Sequence, residues 1–237
     1  GDLEGADGDS LLLSSVPNST KACEQTSTLT LGSSTWAGDL DSMDGNYTTF
    51  SSEGIPDLYP GSQTFTGDSG DPDDWTILNE GSGCDAVVTS SKDGHEDVLR
   101  IKDTGSGYVD LYHDPSSNPT SGTIEWWQYY EGANDYIEIK MWSTYPVELL
   151  WLNNDGGTLK YLDDTDTWRS IHGISADTWY HYRFDFDCSS YKFDFFVDGI
   201  KEVNNEDFTD DDYRFDRVYP CTSSTATGVN IYIDAIG

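Results

Sequence analysis

From Thr178 to Asp187 the chain alternates without interruption. Tyr180, Tyr182, Phe184 and Phe186 fall on one side, and His181, Arg183, Asp185 and Asp187 on the other. A helix would scatter both sets around its circumference, whereas a period of two marks a half-buried antiparallel strand. Tyr191, Phe193, Phe195 and Val197 repeat the pattern. Asp198-Gly199 then offers the two-residue turn with positive φ that closes a tight hairpin, returning through Ile200 to Val203. Further strands are predicted over residues 98–101, 108–112, 123–130, 135–142, 147–152 and 229–236. About nine strands in roughly 160 residues, separated by Gly, Asp and Asn turns, predict an all-β chain folded as a two-sheet antiparallel β-sandwich.

Residues 1–74 differ in texture. A Gly/Asp-rich start leads to the apolar run Leu11-Leu12-Leu13 and Val16, and residues 54–74 are rich in Pro, Gly, Ser and Asp. So few apolar positions do not make an independent core. Residues 1–74 are therefore read as a β-rich N-terminal extension, arm and linker, and residues 75–237 as the sandwich.

The 237 residues carry 44 Asp+Glu against 12 Lys+Arg, a formal charge of -32. Such a surface repels phosphate backbones and anionic lipid heads, which excludes nucleic acid and membrane surfaces as partners. An aromatic content of 14% separates the chain from acidic disordered sequences. No run of about 18 apolar residues is present to cross a bilayer, and no basic segment precedes the leucine run, so the chain is expected to be a mature secreted form. Of the acidic residues 33 are Asp, a residue that favours loops and turns. Clusters that could supply Ca²⁺ with oxygen ligands are Asp39, Asp41 and Asp44; Asp71, Asp73 and Asp74; Asp163, Asp164 and Asp166; and Asp210, Asp211 and Asp212. The alternative is a surface adapted to salty surroundings. The first cluster is not an EF-hand, because one residue is inserted and Phe50 stands where a bidentate Glu belongs.

Cys23, Cys84, Cys188 and Cys221 are widely spaced and include no C-x-x-C, which argues for disulfides over a zinc site. Four cysteines allow three pairings. Cys23–Cys84 with Cys188–Cys221 keeps each bridge within one half of the chain. The sequons at Asn18 and Asn46 agree with a secreted, extracellular or cell-surface glycoprotein, while Pro119 blocks the triplet at Asn118.

From Trp75 onward the chain resembles the concanavalin-A-like lectin/glucanase superfamily, especially its laminin-G-like jelly rolls. The likeness rests on Ser121-Gly-Thr-Ile-Glu-Trp-Trp, Asp177-Thr-Trp-Tyr-His-Tyr-Arg-Phe, Phe196-Val-Asp-Gly and Ile231-Tyr-Ile-Asp-Ala-Ile. These motifs specify strands and a hairpin, not an active site. The resemblance implies a jelly-roll sandwich over residues 75–237 and a choice among glycan binding, adhesion, polysaccharide cleavage and a structural role.

A glycosidase of that superfamily would carry Glu-x-Asp-x-x-Glu on one strand, and this chain does not. A weaker carboxylate pair, Glu125 and Glu138, arises if residues 123–130 and 135–142 form a hairpin with Tyr130 opposite Asp135. Glu125 then faces Lys140, so a cross-strand ion pair explains both residues without catalysis. Gly67-Asp-Ser-Gly resembles a serine-protease nucleophile segment, but no histidine precedes it. His95, His113, His172 and His181 lack zinc spacing. In the same hairpin Trp127, Tyr129, Tyr136 and Trp142 share a face and could stack on sugar rings. The expectation is thus a non-enzymatic extracellular subunit that self-assembles into a filament, tube or surface layer, a homo-polymer joined by exchange of the strand bearing Leu11, Leu12, Leu13 and Val16 and stabilised by Ca²⁺. A secreted module binding cell-surface glycans and a polysaccharide-cleaving enzyme are the alternatives.

Overall fold

The computed structural model describes Phe65, Asp68 and residues 70–237 other than 105–106, 116–117, 144–146, 211, 213 and 224–227, together with the backbone of residues 2–4, 10–12, 30–31 and 34–35. The chain divides into two compact units, Gly1–Leu58 and Tyr59–Gly237.

In the first unit β1 (Asp2–Glu4) pairs antiparallel with β2 (Ser10–Leu12), and β3 (Thr30–Leu31) with β4 (Ser34–Thr35). Leu11 and Leu12, expected to leave for a neighbouring subunit, pair with Leu3 and Asp2 of their own chain. Leu13, Val16, Asn18, Cys23, Asp39, Asp41, Asp44, Asn46 and Asp211 lie outside the described residues.

In the second unit every regular element among the described residues is a strand, and no helix there is long and apolar enough to cross a membrane. The strands are β5 (Thr76–Glu80), β6 (Cys84–Lys92), β7 (His95–Asp103), β8 (Val109–Tyr112), β9 (Ser121–Tyr130), β10 (Ile137–Trp142), β11 (Glu148–Asn154), β12 (Thr158–Leu162), β13 (Trp168–Gly173), β14 (Thr178–Asp187), β15 (Lys192–Val197), β16 (Ile200–Asp207), β17 (Arg217–Cys221) and β18 (Val229–Asp234). They form two seven-stranded antiparallel sheets, ordered β13-β12-β11-β10-β17-β8-β5 and β16-β15-β14-β9-β18-β7-β6. This is the all-β sandwich that the alternation predicts.

The inward residues of both sheets interdigitate in one core. Tyr180, Tyr182, Phe184 and Phe186 of β14 pack with Phe193, Phe195 and Val197 of β15, facing Ile137, Ile139 and Met141 of β10. Phe65, within the stretch read as linker, is 3% exposed and belongs to this core beside Trp75. One polar chain crosses the apolar interior. Trp126 Nε1 donates to Gln128 Oε1, Gln128 Nε2 donates to Tyr130 Oη, and Tyr130 meets Tyr182 Oη at 3.2 Å, so the buried polar atoms find partners in one another. The turn after β15 has φ of 50° at Asp198 and 77° at Gly199, as its sequence requires.

One expected pairing is corrected. β9 and β10 do not form a hairpin: β9 runs between β14 and β18, whereas β10 runs between β11 and β17 in the other sheet. The intervening segment is a crossover. Asp135 Oδ2 accepts from Gly132 N at 2.9 Å and from Asn230 N at 3.3 Å, so its carboxylate closes the turn and ties it to β18. Alternation tells which side chains face inward; it does not say which strand lies alongside.

Candidate functional site

Parity places the site. On β10, Ile137, Ile139 and Met141 enter the core, so Glu138, Lys140 and Trp142 point outward. On β17, Val218 is inward and Arg217, Tyr219 and Cys221 are outward; on β8, Val109 and Leu111 are inward and Asp110 and Tyr112 outward. Register aligns Lys140 with Tyr219 and Trp151, Trp142 with Arg217 and Glu148, and Cys221 with both Glu138 and Asp110. Of these, Asp110, Tyr112, Lys140, Trp142, Glu148, Arg217, Tyr219 and Cys221 line a groove of about 720 Å³ on the outer face of the first sheet, with Glu138 and Trp151 flanking Lys140.

The floor of this groove is aromatic. Trp142 and Tyr219 stack with centroids 4.3 Å apart and planes 25° from parallel, and are only 4% and 9% exposed. Leu78, Tyr108 and Tyr112 complete the apolar lining, and Tyr108 and Leu78 are open to solvent. Tyr108 is held at the rim by its carbonyl, which accepts from Asn79 Nδ2 at 3.0 Å and Gly81 N at 3.2 Å. That approach requires glycine, since a Cβ on Gly81 would collide with Gly107 Cα.

Charges surround the rings. Arg217 makes a two-pronged ion pair with Asp114 at 2.6 and 2.9 Å, and its guanidinium lies 3.5 Å from the centre of the Tyr112 ring. Lys140 Nζ is 3.0 Å from Glu138 Oε2 and 3.8 Å from the Trp151 ring centre. Glu138 also accepts from Tyr136, whose hydroxyl proton burial and that bond both retain. Asp110 and Glu148 are half-buried. Burial raises the carboxyl pKa of Asp110 against the opposing Tyr219 hydroxyl bond and Lys140 charge, and it raises that of Glu148 against Lys140, with Asp210 adding repulsion. Burial and the Glu138 charge likewise keep the Cys221 thiol protonated.

The four aromatics expected to form one platform are split. Trp142 is in the groove floor and Tyr136 stands beside Glu138 near the same sheet, but Trp127 and Tyr129 are on the outer face of the second sheet. There Tyr129 packs with Val98, Tyr232 and Trp179, and Trp127 lies between His95 at 5.4 Å and His181 at 5.0 Å. Glu125 likewise pairs across strands with Arg183, not Lys140, at 3.7 Å. Glu125 and Glu138 therefore occupy opposite outer faces with the core between them, which removes them as a paired-carboxylate centre. Tyr112, Trp151, Tyr219, Asp110 and Glu148 were not singled out from sequence. The outward parity of 217, 219 and 221 was legible only once β17 was known to be a strand.

Of the clustered aspartates among the described residues, Asp163, Asp210 and Asp73 are engaged locally. Asp163 Oδ1 accepts from Thr165 N and Oγ1 and from Thr167 N, and Oδ2 accepts from Arg169 Nε at 2.6 Å. Those bonds, Thr165 foremost, hold its carboxyl far below the usual carboxylate range and shape the β12–β13 turn. Asp210 Oδ2 accepts from Glu148 N, and Asp73 N donates to Asp68. Among the described residues no group of three His, Cys, Asp or Glu side chains is placed to hold a metal ion. The expected Cys188–Cys221 bridge is not made: Cys188 belongs to the inter-sheet core, whereas Cys221 points outward toward Glu138 with its thiol intact.

No protein-family model matches this chain, and no curated protein sequence matches it. Solved structures do. A sialidase aligns with a TM-score of 0.59 at 10% identity over 69% of this chain and 16% of its own, so this chain spans about one sixth of that enzyme's length. A glycosyl hydrolase family protein from Mycobacterium fortuitum aligns at 0.47, with 13% identity over 75% of this chain and 98% of that one. Carbohydrate binding module CBM66 from Bacillus subtilis aligns at 0.45, with 11% identity over 69% and 93%. At such identities the likeness is one of fold, the two-sheet antiparallel β-sandwich of the second unit.

Proposed function

We propose that the sandwich is a glycan-binding module, with its ligand seated in the groove over Trp142 and Tyr219. The observation that carries this reading is the combination of a 720 Å³ recess, a stacked aromatic floor with tyrosine walls, and charged hydrogen-bonding groups at its margin. Sugars present an apolar ring face and a rim of hydroxyls, and the groove offers a counterpart to each. A non-catalytic role suits the separation of Glu125 from Glu138. An extracellular setting, suggested by the sequons at Asn18 and Asn46, is part of the proposal.

Binding on a glycan array, followed by titration of the hits, tests it. Tyr108→Ala and Tyr112→Ala should each weaken binding about tenfold or more, the effect of losing one stacking ring, while Trp127→Ala on the far face leaves it unchanged. Equal loss from Trp127→Ala, or none from the tyrosines, would move the site elsewhere.

Filament assembly through the N-terminal strand is the second reading, and we rank it lower because Ser10–Leu12 pairs with Asp2–Glu4 within the chain. Calcium support also belongs to the proposal, through the Asp-rich loops. Melting temperature should then rise more in CaCl₂ than in NaCl of equal ionic strength; equal rises reduce the effect to screening of the -32 charge.

A further inference from the structure

The ion pairs around the groove leave two carboxylates over. Lys140 is committed to Glu138 at 3.0 Å and Arg217 to Asp114 through two bonds, so both cations lining the recess already have an acidic partner. Asp110 and Glu148 also line the recess, and among the described residues neither has a cation within 4 Å. The charge of Lys140 reaches both from beyond ion-pair distance, and neutral donors on the floor add to it, the Tyr219 hydroxyl for Asp110 and the Trp142 indole for Glu148. The stacked pair is thus flanked by one half-buried carboxylate on the β8 side and one on the β11 side.

From this accounting we infer that the groove selects glycans carrying free ammonium groups, that is, amino sugars without an N-acyl cap. The inference rests on the glycan-binding reading and specifies its ligand. A neutral sugar laid over the floor would strip water from Asp110 and Glu148 and return only hydrogen bonds, leaving two desolvated charges with Lys140 as their only cationic support among the groups acting on them. A uronate would add a third negative charge. An ammonium supplies a directly bonded countercharge on either flank while the pyranose ring covers Trp142 and Tyr219. The formal charge of -32 acts in the same direction at long range, attracting cationic chains and repelling anionic ones.

Calorimetric titration of the full chain with a glucosamine tetramer, its fully N-acetylated counterpart and a uronate tetramer, at low and high NaCl, tests the inference. The glucosamine tetramer should bind at least about tenfold tighter than the acetylated one, the scale of a charge-assisted bond, and the uronate should not bind. Asp110→Asn with Glu148→Gln should erase that preference; each substitution is isosteric and removes a desolvated charge, and the single variants serve if the double one does not fold. A preference that survives both substitutions would be diffuse attraction to the acidic surface, and equal or tighter binding of the acetylated or uronate tetramer would reverse the sign. Either result overturns the inference. If neutral oligosaccharides bind and Tyr112→Ala abolishes that binding, the glycan reading stands and only the amino-sugar selectivity falls.

Discussion

Both sheets of the sandwich turn aromatic side chains outward, yet the two outer faces are finished differently. On the second sheet the rings close on one another: His95 stacks on Trp179 at 3.9 Å, Trp179 meets Tyr129 at 5.3 Å, and Tyr129 meets Tyr232 edge-on. The charges there are closed as well. Lys92 Nζ is 2.6 Å from Glu131 and lies over Tyr129 and Tyr232, His95 Nδ1 is 2.7 Å from Asp234, and Arg183 grips Asp185 through two bonds. On the first sheet the stacked pair lies at the bottom of a recess, and among the described residues two of the surrounding carboxylates, Asp110 and Glu148, form no ion pair. Similar residue types therefore serve stability on one face and leave chemistry available on the other. What separates them is whether the carboxylates around the rings are closed into ion pairs within the chain.

Single substitutions on the two faces should dissociate stability from binding. Trp179→Ala removes the ring beneath His95 and an indole bond to the Lys92 carbonyl, and should cost about 2–3 kcal/mol in urea denaturation with groove affinity unchanged. Tyr108→Ala, at a rim position 39% exposed, should do the reverse. If Trp179→Ala weakens binding without unfolding the chain, the second face is not merely structural.

A smaller pair of effects should differ in sign. Burial acts to raise the Glu131 pKa, but bonds from Lys92, Asn230 and Tyr232 outweigh it and lower the pKa. Its contribution is therefore present above the ordinary carboxylate range and lost as pH falls through the lowered value. Glu131→Gln should cost about 1 kcal/mol at neutral pH and progressively less in acid. Burial raises Asp110, so ionising it weighs against the fold as pH climbs through the raised value. Asp110→Asn should accordingly bring a small gain in melting temperature at neutral pH and none in acid. Melts of both variants across pH check this, and a same-sign response would erase the contrast between the faces.

The alternation at 178–187 and 191–197 made the core legible, because a one-residue slip would bury His181, Arg183 and Asp185 and expose the aromatics. The Asp-Gly hairpin was equally legible from its positive φ requirement. β5, β6, β12, β13 and β17 were not. β13 is an edge strand with mostly solvent-facing residues, and β17 carries Pro220 and Arg217, so neither shows clean alternation. The groove was legible only in part: Trp142, Glu138 and Lys140 were named, but they were grouped with Trp127, Tyr129 and Glu125 through a hairpin that the crossover at Asp135 replaces.

The chain by itself determined its class, its inward and outward faces and the sign of its long-range field, because side-chain direction alternates locally and charge simply adds. Only the tertiary structure decided which outward residues meet. Strand order places β17 between β10 and β8, setting Tyr219 opposite Lys140, 79 residues earlier, and Cys221 opposite Asp110, 111 residues earlier. It also decided which of the described carboxylates are left out of ion pairs, since pairing depends on distances between side chains whose strands are far apart in sequence. Local pattern carries no information about such distances, and the functional contrast between the two faces resides in them.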